Sequence, residues 1–189
     1  MTTVDRFIQR LRIKQVEPFI HPSDSVLDVG TADGALFRVL HYLKDGTGID
    51  PEAEPGSLEN ATLIRGFFPE ALPPNRQYDI ITMLAVLEHI QPDAQSQLAK
   101  DCFERLRPSG RLLITVPSPQ VDDLLSLMKA VKLIDGMSLE QHYGYNTAET
   151  PKLFCSAGFT LQKASKFQFG LNNLFVFDKP AARARGTAS

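Results

Sequence analysis

Two carboxylates and two glycines carry the strongest chemical signal in this chain. Asp28 stands two positions before Gly30 in the run Val26-Leu27-Asp28-Val29-Gly30-Thr31-Ala32-Asp33-Gly34-Ala35. Glycine accepts positive φ and a close approach that a Cβ would block, so such a turn can bring bare backbone N–H groups against a ligand. Asp50 closes the segment Gly46-Thr47-Gly48-Ile49-Asp50-Pro51, twenty residues after Gly30. A carboxylate at the end of a neighbouring strand can accept both hydroxyl hydrogens of a ribose. The two segments together fit a ligand that contains adenosine.

The elements that must hold these residues are legible around them. Ser25 to Val29 has the β-branched and apolar composition of a buried parallel strand, and Ala35, Leu36, Val39, Leu40 and Leu43 then recur at helical spacing. The glycine turn is therefore a strand-to-helix turn. A nicotinamide fingerprint needs glycines at the first, third and sixth positions, which are here Gly30, Ala32 and Ala35. That match is poor, and a nicotinamide-dependent oxidoreductase is the weaker reading.

The turn instead resembles the first motif of the class I S-adenosylmethionine-dependent methyltransferases, an acid followed by alternating glycines. It reads Asp28-Val29-Gly30-Thr31-Ala32-Asp33-Gly34, with Ala32 in place of the middle glycine. Two further segments resemble the same family: Tyr78 to Ile90, which contains Leu87-Glu88-His89, and Leu106 to Pro117, which enters the next strand through Arg107-Pro108-Ser109-Gly110. The resemblance runs from about Val26 to Asp178. It implies S-adenosyl-L-methionine as cofactor, held by Asp28, Gly30, Thr31, Ala32, Gly34, Asp50, Pro51, Phe67, Phe68 and Leu84. Gly66-Phe67-Phe68 falls where the family places a polar residue against the adenine amino group, so either phenylalanine stacks on the base or both belong to the core. The quinone-precursor methyltransferases of this family can hold a metal through an acid three residues before Glu88. Ala85 occupies that position, and no metal is expected.

The end of the chain tests the fold independently. Thr150 is a candidate N-cap for a helix over 151–157, Gly158 its stop, and Phe159 to Phe169 and Leu174 to Asp178 read as strands. The four residues between those strands are too few for a crossover helix, so the pair is antiparallel. The expected fold is a doubly wound, Rossmann-like α/β sheet of seven strands, six parallel and the last inserted antiparallel in a C-terminal hairpin. Residues 1–180 form one domain, with an insertion at about 119–146 and a disordered tail at 181–189.

Composition narrows the function. The chain has 189 residues, 22% of them charged, and a net charge of −2, which leaves no basic excess to neutralise phosphates. Neither nucleic acid nor a membrane is an expected partner, and the oligomeric state is open. Arg6, Arg10, Arg12 and Lys14 interrupt the amphipathic segment 3–20, unlike a signal peptide, so a cytoplasmic location is expected. Cys102 and Cys155 each sit in a helical apolar pattern and read as buried thiols. Acceptor chemistry falls to the insertion, where an apolar repeat from Val121 to Ile134 precedes Gln141-His142-Tyr143-Gly144. His142 is the candidate general base toward an acceptor hydroxyl, and an ordinary loop histidine is its alternative. His89 is a lesser candidate for substrate contact. The reading is methyl transfer from S-adenosylmethionine to a small-molecule acceptor; a non-catalytic cofactor-binding or partner-binding protein of the same fold is the alternative.

Overall fold

The computed structural model describes residues 3–118 and 145–182. The apolar repeat of 121–134, His142 and Tyr143, and residues 183–189 lie outside the described residues. The described chain runs α1 (Thr3–Val16), β1 (Ser25–Val29), α2 (Ala35–Val39), β2 (Asp45–Asp50), β3 (Gly56–Ser57), β4 (Ala61–Arg65), β5 (Tyr78–Leu84), α3 (Pro92–Arg105), β6 (Leu106–Pro117), α4 (Thr150–Ser156), β7 (Thr160–Phe167) and β8 (Asn172–Asp178).

The strands form one sheet in the order β3-β4-β2-β1-β5-β6-β8-β7. β1 pairs in parallel with β2 and β5, β2 with β4, and β5 with β6. β8 lies antiparallel between β6 and β7. This is the expected seven-strand arrangement, with the two-residue β3 added antiparallel at the outer edge. Alternation along the strands feeds two cores. Leu27, Ile81, Leu112, Ile114 and Phe177 pack against Leu98, Ala99 and Cys102 of α3 and Phe154 of α4. Val26, Ile80, Leu113 and Val176 pack on the opposite face against Ile13 and Val16 of α1 and Leu36 and Phe37 of α2. Strands buried on both faces carry near-continuous apolar runs, which is why β1 and β6 were legible.

Three local expectations are corrected. The helix after the glycine turn ends at Val39 rather than continuing to Leu43, and Leu40 leaves helical φ/ψ. Thr150 does not cap α4; it is the first residue of that helix, buried, with its hydroxyl 2.9 Å from that of Tyr145. Cys102 is buried, whereas Cys155 is exposed. The seven-residue α4 buries Phe154, and the next position, about 100° further round the helix, faces outward.

Candidate cofactor site

The parallel strands β1, β2, β4 and β5 all end on one edge of the sheet, and a cavity of about 1020 Å³ opens there. That is the crevice where doubly wound sheets bind ligands, and its volume lies at the upper end of the usual range for small-molecule sites. Its wall combines the glycine turn (Gly30, Ala32), the end of β2 (Asp50, Pro51), the segment after β4 (Gly66, Phe67, Phe68) and the segment after β5 (Ala85, Val86, His89).

Four amides of the turn and the first of α2 are already bonded. Gly30 and Thr31 donate to the carbonyl of Ile49 at 2.9 and 3.3 Å, and Gly34 donates to that of Thr31 at 2.8 Å. Ala32 N–H donates to Asp50 Oδ2 at 3.1 Å, and Ala35 N–H to Asp33 Oδ1 at 3.2 Å. The sequence expectation of bare N–H groups facing a ligand is corrected for these five, which β2, the Thr31 carbonyl and the Asp33 carboxylate take. What the glycine permits is close approach by the segment after β5. Gly30 lies at φ 77, and a Cβ there would fall 2.3 Å from Val86 Cγ2. Ala32 also lies in the left-handed region, at φ 48, a conformation that costs a non-glycine residue about 1–2 kcal/mol.

Asp50 is the hub of the site. Its Oδ1 accepts the amide of Glu52 at 2.7 Å while Oδ2 holds Ala32, so one carboxylate fixes both the turn and the strand exit. A carboxylate has about four lone-pair directions. Two remain to accept hydroxyl hydrogens. Asp28 is placed differently. It is buried beside β5, accepting from Thr82 Oγ1 at 2.7 Å. Burial pushes its carboxyl up to about 6 against the hydroxyl of Thr82, and the Asp50 charge adds to the rise.

The electrostatics of the wall separate two ligand classes. Asp33, Asp50, Glu52 and Glu54 all line the cavity, and the Arg38 guanidinium there is paired with Asp33 at 3.4 Å. Phosphates need free N–H groups or cations, and this wall supplies mainly carboxylates. A ligand bearing a sulfonium and an ammonium meets the complementary field.

Comparison with known proteins agrees with this geometry. Residues 2–164 match the family model described as a methyltransferase domain. The chain belongs to the class I S-adenosylmethionine-dependent methyltransferases. Among individual methyltransferases, the ribosomal protein L11 methyltransferase of Nitrosomonas europaea is 30% identical over 133 residues, which cover 62% of this chain and 42% of that protein. The chain thus matches less than half the length of that relative. The 1,6-didemethyltoxoflavin-N1-methyltransferase of Burkholderia thailandensis, solved with its namesake ligand and S-adenosylhomocysteine, superposes with a TM-score of 0.69 at 20% identity over 94% of this chain and 80% of that one. The magnesium protoporphyrin IX methyltransferase of Synechocystis PCC 6803, solved with S-adenosylhomocysteine, gives 0.63 at 17% identity over 92% and 82%. The family uses S-adenosylmethionine.

In this methyltransferase fold, the structure brings Gly30, Ala32, Asp50, Pro51, Phe67 and Phe68 together on the cavity wall. Asp28, Thr31, Gly34 and Leu84 do not line it. Asp28 and Thr31 are buried behind the turn, and Leu84 packs into the α1 side of the core. Sequence reasoning missed Asp33, Arg38, Val86, Ile90 and Leu98 as wall residues. Val86, Ile90 and Leu98 carry no signal that separates a wall from a core, because both need apolar side chains. Asp33 had one, since an acid just before Gly34 is placed to meet the first turn of α2. Among the described residues, no group of three His, Cys, Asp or Glu side chains could hold a metal ion. Among the same residues, no helix is long and apolar enough to cross a membrane.

Proposed function

We propose that this chain catalyses methyl transfer from S-adenosylmethionine to a small-molecule acceptor. The observation that carries the reading is the carboxylate-rich cavity at the strand ends, where Asp50 keeps acceptor capacity and the amides of Gly30, Thr31, Ala32 and Gly34 are already bonded. Asp50 would accept the ribose hydroxyls, and Phe67 and Phe68 would cover the base. Gly30 lets Val86 close against the turn and shape the wall beside which the amino-acid tail would run. Asp28, set back from the wall, would act on the ligand through the turn rather than by contact.

When bound, S-adenosylmethionine supplies a methyl group already activated on a sulfonium. The protein's part is then to align an acceptor and exclude water, and such orientation is worth roughly 7–11 kcal/mol in favourable cases. His142 is the base assigned from the sequence to an acceptor hydroxyl. A small molecule is favoured as acceptor by the two structural neighbours named above, which are methyltransferases of magnesium protoporphyrin IX and of 1,6-didemethyltoxoflavin.

Calorimetry with S-adenosylhomocysteine checks the reading, with one site per chain and micromolar affinity expected. Asp50→Ala should weaken that affinity at least about tenfold, since each charge-assisted hydrogen bond to the ribose is worth about 1.5–3 kcal/mol. The same variant should also melt lower without ligand, because Asp50 holds the amides of Ala32 and Glu52. No heat at millimolar ligand would sink the assignment. Binding without turnover on a broad acceptor panel would move the protein to the non-catalytic alternative.

A further inference from the structure

The segment after β5 is a short 3-10 turn, Leu87–His89, whose three residues take different directions. Such a turn holds three residues, so successive side chains point about 120° apart. Leu87 is buried in the core shared with Leu98, Ala99 and Cys102 of α3. Glu88 is buried too. Burial lowers the pKa of Arg12 in α1, and the charge of Glu88 offsets part of that fall, so Glu88 and the guanidinium act on each other. His89 is half-buried and lines the cavity. With two of its side chains anchored inside, the turn gives the third to the wall. Its backbone is held on both sides. His89 and Ile90 donate to the carbonyls of Val86 and Leu87 at 3.0 and 3.2 Å, and Ala85 donates to that of Thr115 in β6 at 2.9 Å. Gln95 of α3 donates through Nε2 to the Ile90 carbonyl at 3.0 Å.

Strand order sets where along the cavity His89 stands. β4, β2, β1 and β5 are neighbours in that order, with about 4.8 Å between adjacent strands. Phe67 follows β4, Asp50 closes β2, Gly30 follows β1 and His89 follows β5. On the methyl-transfer reading, on which this inference rests, adenosine occupies the β4–β2 end, beside Phe67 and Asp50. The β1–β5 end is then left to the sulfur, its methyl group and the acceptor. The acids of the wall stand elsewhere. Asp50, Glu52 and Glu54 lie at and after the end of β2, Asp33 is paired with Arg38 at 3.4 Å, and Asp28 is buried behind the turn. Among the described wall residues His89 is the one imidazole, and a neutral imidazole accepts a proton near pH 7.

We propose that His89 is the base of the acceptor end, and that the acceptor is a small molecule whose nucleophile carries a proton, a hydroxyl or a ring N–H. The sequence gave that role to His142, which lies outside the described residues; the described wall gives it to His89. In the step, a lone pair of the nucleophile bonds to the methyl carbon and the carbon–sulfur pair returns to sulfur. The nucleophile's proton passes to the imidazole nitrogen and from there to water. Leu87 and Glu88 serve the step by fixing the turn that carries His89.

The test begins with the full chain and NMR titration of its histidine ring signals, in complex with S-adenosylmethionine and, separately, with S-adenosylhomocysteine. Loss of one signal in His89→Gln identifies His89. The two ligands differ by one positive charge at sulfur, and an imidazole beside that charge should titrate lower in the S-adenosylmethionine complex by at least about half a pH unit. Glu88 in the turn, Arg12 of α1, Tyr145 ahead of α4, Asp28 of β1 and Asp50 of β2 are present in both complexes, so the difference reads the sulfur. Any smaller difference overturns the placement of His89. The second arm is turnover on a panel of phenols, N-heterocycles and carboxylic acids. On the acceptor so found, His89→Gln should lower kcat by about 10²–10⁴-fold and remove the acidic limb of the pH–rate profile. His89→Asn should show the same loss, since neither amide takes a proton. Turnover of carboxylic acids alone, or a loss confined to KM, would overturn the role as base. Failure to bind S-adenosylhomocysteine, or binding without turnover on the whole panel, is read first and overturns the methyl-transfer reading itself.

Discussion

Asp28 and Asp50 are carboxylates at the ends of adjacent strands, and the fold gives them opposite environments. Asp50 sits on the cavity wall among backbone donors, whereas Asp28 is 4% exposed and depends on the Thr82 hydroxyl. A carboxyl raised from its ordinary value of 3.8 to about 6 binds its proton more tightly in the folded state than in the unfolded chain. Stability from this group is therefore greatest below pH 4 and falls as pH rises through 6. The whole effect is about 3 kcal/mol, at 1.36 kcal/mol per pKa unit. Asp28→Asn keeps the shape of the protonated acid without the charge. Its stability relative to the parent should therefore rise by up to about 3 kcal/mol between pH 4 and pH 7, read from urea melts. A parent-to-variant difference that is flat across that range would show that Asp28 titrates as an ordinary surface acid.

At the scale of elements, the site depends on how closely the segment after β5 approaches the glycine turn. A methyl group added at Gly30 would lie 2.3 Å from Val86 Cγ2, well inside van der Waals contact, and φ 77 strains any side chain there. Gly30→Ala should therefore displace one segment from the other. We expect at least a tenfold loss of S-adenosylhomocysteine affinity by calorimetry. Val86→Ala removes the obstructing carbon, so the double variant should recover part of that loss. Full additivity of the two changes would mean that the contact does not shape the site.

For the whole molecule, ligand and fold are linked by mass action. S-adenosylhomocysteine at about 100 times its dissociation constant stabilises the folded state by about 2.7 kcal/mol. For a chain of 189 residues each 1 kcal/mol moves the midpoint by about 2–4 °C, so a thermal melt should shift upward by roughly 5–10 °C. NADH at the same concentration should leave it unchanged, and equal shifts from both ligands would contradict the selectivity argued from the acidic wall. The sequence by itself determined the sheet. Period-2 and continuous apolar runs are local, and the four residues between the last strands forced an antiparallel hairpin. It also determined Asp50 and the glycine turn, because both lie within a few residues of legible strand ends. Only the tertiary structure decided which of these groups face the cavity. Whether the turn amides were bare depended on Ile49 and Asp50 of β2, an element apart in sequence. Whether Asp28 was wall or core depended on Thr82 across the β1–β5 pairing. The same holds for Val86, whose approach to Gly30 follows from how separate elements meet. Local pattern fixes periodicity and turns; the environment of a side chain is set by neighbours that the chain brings close only when it folds.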